Sequence, residues 1–267
     1  VIPKIALCNI LKDHKNLKQF AIGHRFRGID WSFDLSELPK TPVQESRWTK
    51  DQLKLAPLEV RYHCPFKRID IGSDDPEQAK KAGDIFQRIT RLVSKAGGKF
   101  LTIHIGLGHN STGPLSWDTT IDNLKSLVQF GVTHGVTICL ENLAWGWTSK
   151  PNLFEKLVRQ SGSGVTFDIG HAFISESIRT QQYNFEDFIT PHTNRVFNAH
   201  IYHREIEGKG HLPPSDINEI KERLALMKKI GCPWWAIEIK EKSQLLKTKK
   251  IIDEFLAQHT YPNDKLP

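Results

Sequence analysis

The sequence predicts an α/β fold, a single (β/α)8 barrel spanning residues 1–267, on three observations. Short β-rich runs alternate with amphipathic helical patterns, those β-rich runs number eight, and the length of 267 residues suits one such barrel, an architecture of roughly 250 residues. Nothing reads as a long linker, and 39% hydrophobic content is enough to bury a large core, so one unit is favoured over two.

In chain order the expected strands are KIALCN (4–9), GIDWSF (28–33), LEVRYH (58–63), FLTIHI (100–105), VTICLE (136–141), VTFDIG (165–170), VFNAHIY (196–202) and WAIEIK (235–240). The connections after the first two are short and weakly patterned. The next one, DPEQAKKAGDIFQRITRLVSKAGG, carries aspartates and a proline in its first turn and ends on Gly97 and Gly98, as a helix should. Its Ile85, Ile89, Leu92 and Val93 recur at helical spacing. Similar patterns run through Ser116–Gly135, Asn152–Ser161, Ser215–Gly231 and Ser243–Gln258.

Strand alternation sorts the side chains between the helix layer and the barrel interior. Val60 and Tyr62 oppose Arg61 and His63; Ile103 and Ile105 oppose Thr102 and His104; Ile138 and Leu140 oppose Cys139 and Glu141. Likewise Phe167 and Ile169 oppose Thr166 and Asp168, Phe197 and Ala199 oppose Asn198 and His200, and Ile237 and Ile239 oppose Ala236 and Glu238. Six strands thus bring an imidazole or carboxylate to the inner side near their carboxyl ends, the rim where barrel enzymes build active sites. Arg61 either pairs with Glu59 in a buried ion pair, the favoured reading, or reaches a ligand phosphate.

Three carboxylates, Glu141, Asp168 and Glu238, cannot converge in a poorly solvated rim unless a cation offsets their repulsion and desolvation. With His63, His104 and His200 they make a nitrogen-and-oxygen donor set that suits zinc, manganese or iron better than calcium. A structural polar network is the competing reading of the same residues.

Composition sets the setting. No apolar run is long enough to cross a bilayer, and the start, VIPKIALCNI, lacks signal-peptide features, so a soluble protein is expected. Cys8, Cys64, Cys139 and Cys232 form no C-x-x-C pair, which fits a reducing cytoplasm and argues against a cysteine zinc site. A formal charge of +7 and pI near 9.2 suit an anionic ligand, although lysine-rich solvated faces give the same balance.

LEN (140–142), FDIGH (167–171), HIYH (200–203), GKGHLPPSDI (208–217) and AIEIK (236–240), in this order, resemble the xylose-isomerase-like TIM-barrel superfamily, which includes sugar-phosphate isomerases and epimerases and endonuclease IV. The resemblance runs from His63 onward. Its epimerase branch implies one divalent metal held by Glu141, Asp168, His200 and Glu238, with Glu141 and Glu238 also exchanging protons with substrate carbon. Its endonuclease branch implies more: YHCPF and IHIGLG resemble two histidine motifs, so His63 and His104 would share Glu141 with a second metal, and His171 and His211 resemble ligands of a third. That third site normally takes an aspartate two residues before the later histidine, where this chain has Lys209, and a protonated ammonium cannot ligate. The epimerase branch's substrate-binding arginine falls at Ile206, with Arg204 nearby as a substitute.

Two functions stay open. One is a metal-dependent sugar or sugar-phosphate isomerase or epimerase, with His171, His211, Lys209, Arg204 and Trp145 as substrate contacts. The other is an endonuclease IV-like phosphoester hydrolase acting on abasic-site DNA or a small phosphodiester. Trp145 and Trp147 serve either, as a stacking surface for a sugar or a wedge into nucleic acid, or serve as packing anchors.

Overall fold

Alternation of apolar and polar residues lays the strands into a closed parallel sheet. A computed structural model describes residues 2–206 and 208–258; residues 1, 207 and 259–267 of the expected 1–267 unit lie outside the described residues. The barrel strands are β1 (Lys4–Cys8), β2 (Gly28–Ser32), β3 (Glu59–Cys64), β4 (Phe100–Ile103), β5 (Thr137–Glu141), β6 (Gly164–Asp168), β7 (Val196–Ile201) and β10 (Trp234–Ile237). They close in the order β1-β10-β7-β6-β5-β4-β3-β2, every neighbouring pair parallel. A two-stranded antiparallel hairpin, β8 (Arg204–Ile206) and β9 (Gly210–Leu212), stands on the rim after β7.

The α-helices among the described residues are α1 (His14–Gly23), α2 (Pro42–Leu53), α3 (Pro76–Lys95), α4 (Trp117–Thr133), α5 (Pro151–Ser161), α6 (Ile169–Ile174), α7 (Glu176–Arg179), α8 (Lys221–Lys229) and α9 (Lys242–Gln258). The long ones wrap the sheet. On α3 the buried face is Ala79, Ala82, Phe86, Ile89, Thr90, Leu92 and Val93, and Ile85 packs partly buried against the same core. The outward strand residues meet this layer: Phe167 packs on Phe188 at 5.8 Å, and Tyr62 stacks with Phe33 at 5.8 Å.

The inner parity fills the barrel. Arg61 donates to Asn198 Oδ1 at 2.5 Å, to the Phe197 carbonyl at 2.7 Å and, through Nε, to Glu59 at 2.9 Å. Asn198 donates to Thr166 Oγ1 at 2.9 Å, and the Thr166 and Thr102 hydroxyls are 2.7 Å apart. A polar layer therefore lies under the rim residues, each donor and acceptor matched as burial demands. Below it Trp234 packs with Ala6 and Ala236 apart from the main core. Gly28 is required there, because a Cβ on it would lie 2.1 Å from the Trp234 ring.

The structure corrects several boundaries. β6 stops at Asp168, and Ile169 and Gly170, expected in the strand, open α6, because the Asp168 side chain accepts from His171 N at 2.7 Å and caps that helix. β4 and β10 end at Ile103 and Ile237, so His104 and Glu238 sit on the loops immediately beyond. The weakly patterned early connections hold two real helices. α1 buries only Leu17 and Ala21, and α2 is begun by a Thr41–Gln44 capping box with Pro42 at its first position, so neither shows a broad apolar stripe. The expected 215–231 helix splits into a short turn, Ile217–Glu219, and α8.

Candidate active site and metal centre

Parallel register puts the ends of neighbouring strands at matched heights. Asp168 pairs with His200, and His200 with Ala236, two residues before Glu238. Glu141, Asp168, His200 and Glu238 consequently meet at the carboxyl-terminal rim. His200 Nδ1 lies 3.2 Å from Glu141 Oε2, 3.4 Å from Glu238 Oε1 and 3.9 Å from Asp168 Oδ2. All four residues are buried.

His63 and His104 join from β3 and the end of β4. Their Nε2 atoms are 3.3 Å apart and lie 3.4 and 3.2 Å from Glu141 Oε2. His104 Nδ1 sits 3.3 Å from the Cys64 carbonyl, which can only accept, so Nδ1 carries the proton and Nε2 turns its lone pair on the cluster. His63 Nδ1 stands 3.4 Å from both Glu238 Oε1 and Ser32 Oγ.

Charge is distributed to match. Burial alone would raise the Glu141 carboxyl, but the imidazoles of His200 and His104 hold it well below the usual range. Glu238 is likewise held low against its burial, by His200, His63 and His211. Asp168 shifts the other way, because burial outweighs the help it receives from His171, and Glu141 and Glu238 repel its charge. His63 and His200 are pushed up despite burial, by the carboxylates around them.

A divalent cation fits this donor set on one direct observation. Glu141 Oε2, Asp168 Oδ2 and His200 Nδ1 are buried and none makes a hydrogen bond. Buried polar atoms are almost always satisfied, and these three point at one another. Two triplets, His63–His104–Glu141 and Asp168–His200–Glu238, each offer ligand atoms within 4.8 Å of one another.

The remaining expected residues divide. His171 reaches the cluster, Nδ1 lying 3.5 Å from Asp168 and 3.7 Å from Glu141, and His211 Nδ1 lies 3.4 Å from Glu238 Oε2. Trp145 is half-buried above Gly106, whose added Cβ would be 3.7 Å from its ring, and Trp147 packs edge-on against Trp117 at 5.1 Å. Arg204 and Lys209 are not brought in: both are exposed on the hairpin, Arg204 on the opposite alternation from Glu205, and Lys209 in its turn. Pairing of Arg61 with Glu59 keeps that guanidinium inside the barrel floor.

Three residues of the site escaped the sequence reading. Asp30, on the inner parity of β2, is buried, accepts from Trp234 Nε1 at 3.2 Å and lies 3.9 Å from His200 Nε2; its place inside GIDWSF was the available signal. Burial pushes its carboxyl up. Tyr202 stacks on His211 with ring centroids 3.9 Å apart. Glu205 accepts from His171 Nε2 at 3.1 Å, a contact that depends on the unforeseen hairpin. A cavity of about 420 Å³ opens at the opposite end of the barrel, lined by Gln52, Leu58, Glu59, Tyr62, Gly98 and Lys99, and holds none of these groups.

Comparison with known proteins accords with this architecture. An uncharacterized protein of Methanocaldococcus jannaschii is 28% identical over 201 residues, covering 75% of this chain and 81% of that protein. Among solved structures, a D-tagatose 3-epimerase-like protein superimposes with a TM-score of 0.72 at 19% identity, covering 96% of this chain and 97% of the other. An L-ribulose 3-epimerase gives 0.71 at 16% identity, covering 96% and 94%. At such identities the likeness is one of fold. Residues 22–257 match the family described as xylose isomerase-like TIM barrel, and the chain belongs to that family.

Proposed function

We propose that this protein is a divalent-metal-dependent isomerase or epimerase of a sugar or sugar phosphate, working by proton transfer at carbon. One observation carries the reading: Glu141, at the end of β5, and Glu238, just beyond β10, both face His200 Nδ1 across a shared space, at 3.2 and 3.4 Å. Their low-lying carboxyl ranges keep either one ionised and able to act as a base. One carboxylate takes the proton from the carbon beside the carbonyl, and the C–H electron pair moves into the enediolate of the substrate. The other, once it has taken up a proton from solvent water, returns that proton to carbon, on the opposite face for an epimer or on the neighbouring carbon for an isomer, and the first carboxyl releases its proton to solvent. Zinc, manganese or iron held by Glu141, Asp168, His200 and Glu238 would supply positive charge toward adjacent oxygens, of a ketose in this reading or of a phosphoester in the second.

The sugar epimerases among the structural neighbours support a small-molecule sugar substrate. The described cysteines are unpaired by disulfides and buried, which suits a reducing compartment such as the cytoplasm. Among the described residues no helix is long and apolar enough to cross a membrane.

A specific observation favours a second reading. Proton transfer does not need His63 and His104, yet their Nε2 atoms converge on Glu141 as a second ligand set. That arrangement suits a binuclear phosphoester hydrolase acting on abasic-site DNA or a small phosphodiester. Incubating a panel of ketoses and their phosphates with the metal-loaded protein in deuterated water separates the two. Deuterium beside the carbonyl is the expected result; no exchange across the panel, together with cleavage of a phosphodiester, would replace the first reading by the second.

A further inference from the structure

Asn142 follows Glu141, the last residue of β5, and is fully buried. The β5–β6 ladder pairs Cys139 with Gly164, Leu140 with Val165 and Glu141 with Thr166, and so ends short of Asp168. Past Glu141 the chain turns out of the strand, where Leu143 N donates to Thr148 Oγ1 at 3.1 Å. Asp168 keeps its register with His200 on the β7 side, but on the β5 side the ladder does not reach it. The Asn142 side chain fills that place. Its Nδ2 donates to the Asp168 carbonyl at 2.9 Å, and its Oδ1 accepts from Asp168 N at 2.8 Å.

The residue type matters. A carboxamide carries a donor and an acceptor side by side, whereas Asp has no N–H for the carbonyl and Leu offers neither group. At full burial, either half left unmade costs the desolvation of the group it should have met. The main chain of Asn142 adds a third bond: its carbonyl lies 3.1 Å from His171 Nδ1 and can only accept, so that nitrogen donates. The two oxygens of Asp168 are divided as a result. Oδ1 accepts from His171 N at 2.7 Å, while Oδ2 is buried without a hydrogen bond, 3.9 Å from His200 Nδ1. With its backbone held at both N–H and C=O and one oxygen committed, Asp168 has a single place for the other. Because Asn142 is bonded to Glu141, the same residue also sets how far those two carboxylates stand apart.

We propose that Asn142 is a positioning residue for the central metal: its side-chain amide stands in for the missing strand pair and holds Asp168 Oδ2 at the distance from Glu141 that one ion requires. This role rests on the metal set of the proposed function and adds a residue that touches neither ion nor substrate.

The test is zinc affinity, read by competition with a chromophoric chelator on wild type, His200→Ala, Asn142→Leu, Asn142→Ala and Thr148→Val. The equivalent that wild type binds and His200→Ala lacks is the central one. Asn142→Leu and Asn142→Ala are expected to hold it about 10- to 100-fold more weakly, the usual effect of losing a group that orients a ligand. Thr148→Val loosens the same loop by removing the acceptor of Leu143 N but leaves the amide in place, and is expected to keep wild-type affinity. Wild-type affinity in Asn142→Leu or Asn142→Ala, or an equal loss in Thr148→Val, would overturn the role and leave the amide as packing at the end of β5. A wild type that binds no more zinc than His200→Ala would instead remove the metal centre, and the proposed function with it. Nuclear magnetic resonance of isotope-labelled wild type needs no variant to fold. The Asn142 side-chain amide resonances are expected to shift when zinc binds, and resonances indifferent to bound zinc would equally overturn the role.

Discussion

His63 Nε2 and His104 Nε2 stand 3.3 Å apart and face the same oxygen of Glu141. Two imidazole nitrogens turned on one buried carboxylate oxygen give a sharp test of whether a second ion takes part in the chemistry. Under proton transfer, His63→Ala retains carbon–deuterium exchange within about tenfold of wild type, while Glu141→Gln and Glu238→Gln each lose on the order of a hundredfold or more. An equal, near-total loss in His63→Ala would mark the pair as essential and move the assignment to the hydrolase.

Metal addition should stabilise the folded chain. Glu141 Oε2, Asp168 Oδ2 and His200 Nδ1 gain the partners they lack, and a ligand that binds only the folded state at 100 times its Kd contributes about 2.7 kcal/mol. Thermal unfolding with zinc or manganese against unfolding in chelator measures this. His200→Ala is expected to show a much smaller metal-dependent rise in Tm.

At the other end of the barrel, Glu59 gives a stability prediction free of metal. Burial opposes its ionisation, but the hydrogen bonds and charges of Lys4 and Arg61 win and hold its carboxyl below the ordinary value. A depressed folded-state value means that the stabilisation is present above the unfolded carboxylate range and is lost as pH falls through the folded one. Glu59→Gln should therefore cost about 1 kcal/mol at pH 7, a figure kept small because the side chain is 31% exposed. Urea unfolding should show that cost shrinking as pH drops below the ordinary glutamate range, near about 4.3; a cost independent of pH would refute it.

Gly170→Ala should destabilise by about 1–3 kcal/mol, the usual range for overpacking a filled interior. Its new methyl would meet Tyr202 ring atoms at 2.1 to 2.6 Å. Adding Tyr202→Ala should make the cost of the glycine change largely disappear in a double-mutant cycle, measured by chemical denaturation. Strict additivity would mean that the ring is not what confines position 170.

Much of this molecule is legible along the chain. Eight β-rich runs correspond to the eight barrel strands, and inward alternation named Glu141, Asp168, His200, Glu238, His63 and His104, because a period of two is a local property that each strand carries in its own residues. The helices α1 and α2 were faint because each buries few apolar side chains, and their caps are local signals weaker than a stripe. Chain order also marked His171 and His211 but pointed to Lys209 and Arg204 as their companions, where the hairpin turns both toward solvent.

The sequence by itself determined the barrel, the side of the sheet each strand residue faces and the kinds of donor atom at the rim, since strand period and residue chemistry need no distant partner. Only the tertiary structure decided which atoms meet: that His104 gives Nε2 because the Cys64 carbonyl holds Nδ1, that Asp30 stands behind His200, and that Glu205 lies across from His211. Those outcomes depend on strand register, barrel shear and hairpin pairing, which bring together residues far apart in the chain through hydrogen bonds that no single segment contains.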